Sequence, residues 1–125
     1  MAGPKILIVD DDEDLHTLYG LYLQGESFQV VRAFNGKEAL QVVEAEKPDL
    51  IVLDMIMPVM DGEEFFIKLR TENKNNTPVI IASVNEKIPQ KLFDLGNIFI
   101  TLKKPFTIET LISKIREALS HAGKK

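Results

Sequence analysis

Asp10, Asp11, Asp54, Ser83 and Lys104 are the side chains of this 125-residue chain whose types and placement could do chemistry together. Asp10 and Asp54 close short apolar runs, Ile6 to Val9 and Leu50 to Leu53, and Asp11 follows at once. Ser83 ends a third run, Val79 to Ser83, and Lys104 comes just after a fourth, Phe99 to Leu102. Three carboxylates brought to one place repel each other unless something positive joins them. Oxygen ligands of this kind suit a hard divalent cation, and Mg²⁺ usually takes few carboxylates together with water and a phosphate oxygen. An aspartate can also act as a nucleophile and form an aspartyl phosphate. Lys104 would neutralise the oxygens of an arriving phosphoryl group, and Ser83 would donate a hydrogen bond to one of them.

These residues can meet only if the elements carrying them line up. Lys5 to Asp10, Phe28 to Ala33, Asp49 to Asp54, Val79 to Ser83 and Phe99 to Leu102 read as strands. Most are short, continuous and rich in β-branched residues, the pattern of strands buried on both faces. Helical periods separate them. Leu15, Leu18, Tyr19 and Tyr22 share a face of a first helix ending near Gly25. Asn35 and Glu38 form a capping-box pattern ahead of the Ala39, Leu40 and Val43 stripe, and Pro48 stops that helix. Asp61 and Glu64 repeat the pattern before Phe65, Phe66 and Leu69. A last helix starts at Thr107, buries Ile108, Leu111, Ile112, Ile115 and Leu119, and ends near Gly123. Between Asn85 and Leu95, Pro89 limits where a helix can begin, so the fourth helix is expected to be short or irregular. Strands alternating with helices imply an α/β fold with a parallel sheet covered on both faces. In open sheets of this type ligands bind beyond the carboxyl ends of the strands, where the acids, Ser83 and Lys104 fall.

Three motifs, Ile6-Leu7-Ile8-Val9-Asp10-Asp11, Asp54-Met55-Ile56-Met57-Pro58-Val59-Met60-Asp61-Gly62 and Lys104-Pro105-Phe106, occur in order over nearly the whole chain. Together they resemble the receiver domain of two-component response regulators. The resemblance implies a flavodoxin-like (CheY-like) doubly wound sheet of order 2-1-3-4-5. It also implies that Asp54 is the phosphoacceptor, that Asp11 binds Mg²⁺ directly, and that Asp10 does so directly or through water. The backbone carbonyl of Ile56 would complete the protein's share of the metal sphere, and Ser83 and Lys104 would hold the phosphoryl group. The implied donor is a phosphohistidine on a sensor histidine kinase or a histidine phosphotransfer protein. Homodimerisation, or a downstream output domain or protein, would receive the signal.

Departures from the family pattern fall in the half of the domain that receivers use to signal. Thr101 stands where an aromatic is usual, three residues before the lysine, and strand alternation would put Phe99 on the same side as Thr101. Val84 replaces the small residue expected after Ser83, and the segment from Asn85 to Gly96 is about one residue short of the pattern. These changes predict that phosphorylation is retained while the aromatic switch is altered or absent. Ile56 and Asn85 lie two residues beyond Asp54 and Ser83, near the path of attacking water, and apolar Ile56 predicts a long-lived phosphoryl group.

Other residues have plainer readings. Asp12, Glu13 and Asp14 suit the positive end of a helix dipole, with one of them as its cap. Pro58 and Gly62 shape a turn. Lys103, His16 and His121 are expected in solvent, and Met55, Met57 and Met60 in packing or loop contacts. Hydrophobic residues make up 45% and charged residues 27%, a balance that suits a soluble globular domain. The absence of cysteine excludes disulfides and thiolate chemistry. A net charge of −4 disfavours nucleic-acid binding through a basic surface. The apolar runs are too short to span a membrane, and no signal peptide is visible, so a cytoplasmic location is expected. With no linker or repeat, residues 1–125 read as a single domain without an output domain. Such a domain assists its own phosphorylation and dephosphorylation but needs no independent substrate, so it is not expected to be an enzyme. A Mg²⁺-dependent phosphohydrolase would need an acid two residues after the nucleophile, where Ile56 stands. The remaining alternative is a degenerate receiver that binds partners without phosphorylation.

Overall fold

The computed structural model describes residues 3–84 and 87–123. Five strands, β1 (Lys5–Val9), β2 (Gln29–Ala33), β3 (Leu50–Leu53), β4 (Val79–Ser83) and β5 (Ile98–Lys103), alternate with five helices. These are α1 (Glu13–Gly25), α2 (Gly36–Glu46), α3 (Gly62–Thr71), α4 (Gln90–Leu95) and α5 (Ile108–Gly123). The strands form one parallel sheet in the order β2-β1-β3-β4-β5. The fold class and strand order expected from the sequence are both present. Asn85 and Glu86 lie outside the described residues.

Continuous apolar strands work here because their alternating side chains feed two cores. Leu7, Val9, Ile51, Leu53 and Ile81 face one side, against Ala39 and Val43 of α2, Phe65, Phe66 and Leu69 of α3, and Leu92 of α4. Ile6, Ile8, Leu50, Val52 and Ile80 face the other, against Tyr19 and Leu23 of α1 and Leu111 and Ile115 of α5. Burying each such side chain contributes roughly 1.5–3 kcal/mol.

The caps fall where the sequence puts them. Asn35 Oδ1 accepts from Glu38 N at 2.9 Å, and the Glu38 carboxylate reaches back to the Phe34 N–H at 2.7 Å. Asp61 Oδ1 accepts from Glu64 N at 2.9 Å. Asp12 is the cap of α1, taking the N–H groups of Asp14 and Leu15. Gly62 is required by space: a Cβ there would lie 2.4 Å from the Asp54 carbonyl oxygen and 2.7 Å from Met55 Cα.

Two details differ from the sequence reading. On α1 the buried residues are His16, Tyr19, Gly20 and Leu23, whereas Leu18 and Tyr22 are about half exposed. The inward face is therefore turned from the expected Leu15–Tyr22 stripe, and it is carried in part by a histidine. Phe99 does not share a face with Thr101. The β4–β5 register shifts between the Val79–Ile98 and Ile80–Ile100 pairs. That bulge breaks the alternation. Phe99 packs on the α1/α5 core and meets the ring of His121 at 5.8 Å, while exposed Thr101 pairs with Ile81, whose side chain faces α4. Arg70 is also buried, donating to the carbonyls of Asn75, Gly96 and Asn97 and stacking on Phe66. Burial pulls its guanidinium down to about 10, so it stays charged at neutral pH while tying α3 to the α4–β5 connection.

Candidate functional site

The order of the sheet reverses between β1 and β3, and both strands deliver an acid there. The ladder runs one residue past each: Asp10 N–H donates to Ala33 O at 3.1 Å, and Asp54 N–H to Val9 O at 2.9 Å. The two backbones are thus fixed by sheet geometry. Asp10, Asp54 and Ser83 are buried, at 4%, 8% and 2% exposure, while Asp11 faces solvent. Asp10, Asp11 and Asp54 each place an oxygen so that all three atoms lie within 4.8 Å of one another. That separation suits oxygen ligands around one small divalent cation, so the donor set fits Mg²⁺.

Lys104 comes from the far side of the sheet. Its backbone N–H donates to Ser83 O at 2.9 Å, which anchors the turn after β5, and the Lys104–Pro105 peptide is cis. Its Nζ lies 2.8 Å from Asp10 Oδ2 and 3.8 Å from Asp54 Oδ2. The first is a charge-assisted hydrogen bond and the second only an ion-pair separation. Lys103 is exposed, so Lys104 is the lysine at the site. Asp10 Oδ1 is also occupied, accepting the Asp12 N–H at 3.0 Å.

Asp54 sits in a less favourable setting. Burial pushes its carboxyl above the usual range and the charge of Asp10 adds to this. Lys104 and the N–H groups of Ile56 and Met55 oppose the rise without cancelling it. The Ile56 N–H lies 3.4 Å from Asp54 Oδ1, while the Ile56 side chain points outward and is 54% exposed. Val84 is similarly exposed beside Ser83.

This placement of acids and lysine at the crossover of a 2-1-3-4-5 sheet agrees with the comparison to known proteins. The family model described as "Response regulator receiver domain" matches residues 6–116. The chain belongs to the response regulator receiver-domain family. It is 37% identical over 128 residues to the uncharacterized transcriptional regulatory protein YkoG of Bacillus subtilis, a match covering all of this chain and 55% of YkoG. The receiver thus spans about half the length of the curated relatives it matches. Among solved structures it resembles the Francisella response regulator 1452 receiver domain, with 32% identity, a TM-score of 0.85, and coverage of 96% of this chain and 99% of that one. It also resembles the response regulator TrrA of Thermotoga maritima in complex with Mg(2+)-BeF, with 26% identity, a TM-score of 0.79, and coverage of 93% and 99%. Asp10, Asp11 and Asp54 form the acidic pocket of this receiver domain, an arrangement consistent with phosphoacceptance and Mg²⁺ binding.

The geometry brings together every acid the sequence singled out, along with Lys104 and the end of β4. Asn85 lies outside the described residues. Two neighbours of the site were not legible in the same way. Tyr19 lines a cavity of about 390 Å³ with Asp12, Leu15, Lys104 and Phe106. Burial, then the charges of Asp10, Asp12 and Asp54, push its phenol up to about 12, so it remains a neutral hydroxyl. Its place in an apolar stripe made it look like plain core. His16 is the second and corrects the expectation of a solvated helix face. It is 2% exposed, and its Nε2 lies 2.7 Å from the Asp10 carbonyl oxygen. The available signal was its spacing three residues before Tyr19, which puts both on one helical face.

Proposed function

We propose that this receiver accepts a phosphoryl group on Asp54 from a phosphohistidine of a sensor histidine kinase or histidine phosphotransfer protein. The observation that carries the reading is Lys104, drawn from β5 across the sheet to a cluster of three carboxylates. A lysine held over convergent acids has little structural purpose, because half-buried charges are costly unless they serve a site. Asp10, Asp11 and Asp54, with the backbone carbonyl of Ile56, would hold Mg²⁺. Mg²⁺ when bound supplies charge neutralisation for the transferring phosphoryl oxygens.

The chain's own residues do the rest. Asp54 must be ionised to attack: one of its oxygens forms a bond to phosphorus as the P–N bond breaks, and the bonding pair leaves on the donor's ring nitrogen. Lys104, now 2.8 Å from Asp10 Oδ2 and 3.8 Å from Asp54 Oδ2, would pair with the new negative charge on the phosphoryl group. Ser83, fixed at the end of β4, donates its hydroxyl to a phosphoryl oxygen and draws the β4–α4 segment with it. The domain is a switch whose residues assist transfer, without an independent substrate. Its readers would be an output domain, a downstream protein or a second copy. Among the described residues no helix is long and apolar enough to cross a membrane.

The complex of TrrA with Mg(2+)-BeF supports the same chemistry for this relative of similar fold. The degenerate-receiver alternative draws on Val84 and Thr101, yet both affect output and access while the acids and lysine stay assembled. Borohydride reduction of the phosphorylated protein, followed by peptide mapping, tests the assignment. Reduction at position 54 is expected; reduction at another aspartate, or none in a protein that has gained phosphate, would overturn it.

A further inference from the structure

We infer that His16 is a positioning residue for the metal-binding acids, holding the β1–α1 turn through the backbone of Asp10. This rests on the acidic-site reading above and extends it to a residue outside the motifs. A carbonyl oxygen only accepts, so the 2.7 Å contact with Asp10 O requires the proton of His16 to be on Nε2. The peptide joining Asp10 to Asp11 is planar, so fixing that carbonyl also fixes the direction in which the chain enters Asp11. Asp11 is the one acid of the three whose side chain is exposed. Its orientation therefore depends on its neighbours more than on packing.

The turn closes on itself around this contact. Asp10 Oδ1 takes the Asp12 N–H at 3.0 Å, and Asp12 Oδ1 takes Asp14 N–H at 2.9 Å and Leu15 N–H at 3.2 Å. His16 returns twice, through its backbone N–H to Asp12 O at 3.2 Å and through Nε2 to Asp10 O. Residues on both sides of Asp11 are thereby held from α1. Core packing alone does not account for an imidazole here. His16 meets the Phe34 ring at 4.4 Å, as an apolar side chain could. Its Nδ1, however, is buried without a hydrogen-bond partner among the described residues. Burying an unpaired polar atom is unfavourable, and the Nε2 bond to the metal-site backbone is the compensating contact.

The test compares Mg²⁺ binding, by calorimetry, of wild type, His16→Leu and His16→Gln, with thermal unfolding of each as the check on folding. Gln places an amide N–H near the position of Nε2, whereas Leu fills similar space with no donor. Loss of a residue that orients metal ligands typically weakens affinity by about tenfold or more, so His16→Leu is expected to bind Mg²⁺ about tenfold more weakly. His16→Gln is expected to stay near wild type. A folded His16→Leu that binds like wild type overturns the positioning role alone. Absence of Mg²⁺ uptake by wild type overturns the acidic-site reading and the positioning role with it. A second measurement needs no variant: long-range ¹H–¹⁵N spectra of wild type should show a proton on His16 Nε2 whose resonance shifts at saturating Mg²⁺. An unprotonated Nε2, or one indifferent to Mg²⁺, would overturn the inference even if His16→Leu failed to fold.

Discussion

Under the proposed phosphotransfer Asp54 meets opposing demands, since it would have to be charged to react and is buried where charge is disfavoured. Its carboxyl is raised by burial and then by Asp10. An acid whose folded value is raised stabilises the fold at pH below its unfolded value, and that contribution is lost as pH rises through the folded value. At neutral pH the ionised side chain therefore costs stability. With Mg²⁺ chelated, Asp54→Asn should melt a few degrees above wild type, and the gap should narrow as pH is lowered. Thermal scans across pH measure this, and a variant less stable than wild type at neutral pH would contradict a net cost of charge at Asp54. Ile56 acts at the same scale. Its exposed aliphatic side chain beside Asp54 cannot orient a water molecule. Ile56→Asn should shorten the life of the aspartyl phosphate several-fold, followed by loss of the phosphorylated mass over time; an unchanged or slower loss would refute it.

At the scale of elements, the unusual part is the output side. The β4–β5 bulge turns Phe99 toward α5, so among the described residues of β5 no aromatic side chain faces α4. The α4 helix has six residues, begins after Pro89 and, among the described residues, has no side-chain cap bond at its N-terminus. Its far end is tied to α3 through Arg70 and the carbonyls of Gly96 and Asn97. A pull from Ser83 should thus move the start of α4 while its end stays in place. Amide shifts on adding beryllofluoride and Mg²⁺ should concentrate in β4 and the first turn of α4. Changes dominated by Phe99 swinging across β5 would contradict this. The same elements mark where sequence reading stops. Caps at Asn35 and Asp61 and the short continuous apolar strands are local and were legible, because each depends on residues within one turn or one strand. The bulge was not, because it is set by how β4 and β5 pair. Nor was the burial of His16 and Arg70, whose partners lie on other segments.

For the whole molecule, the two-sided parallel sheet explains why the site could be read from sequence. Strand ends in such a sheet converge at one edge, so an acid, a serine or a lysine just past a strand is placed by topology before any packing detail matters. The acids and Lys104 meet on that account. Their finer setting is tertiary. The choice of Lys104 for Asp10 over Asp54, the hydroxyl of Tyr19 and the His16 contact all depend on distances that no spacing encodes. Curated relatives extend to about twice this length. The proposed phosphoacceptance at Asp54 nevertheless concerns this domain alone. It is tested most directly by intact mass after incubation with acetyl phosphate, with Mg²⁺ or with chelator, for wild type and Asp54→Ala. A gain of one phosphoryl mass is expected in wild type with Mg²⁺ and none in the other samples. No gain in folded wild type, or an equal gain in Asp54→Ala, would contradict phosphoacceptance by this residue.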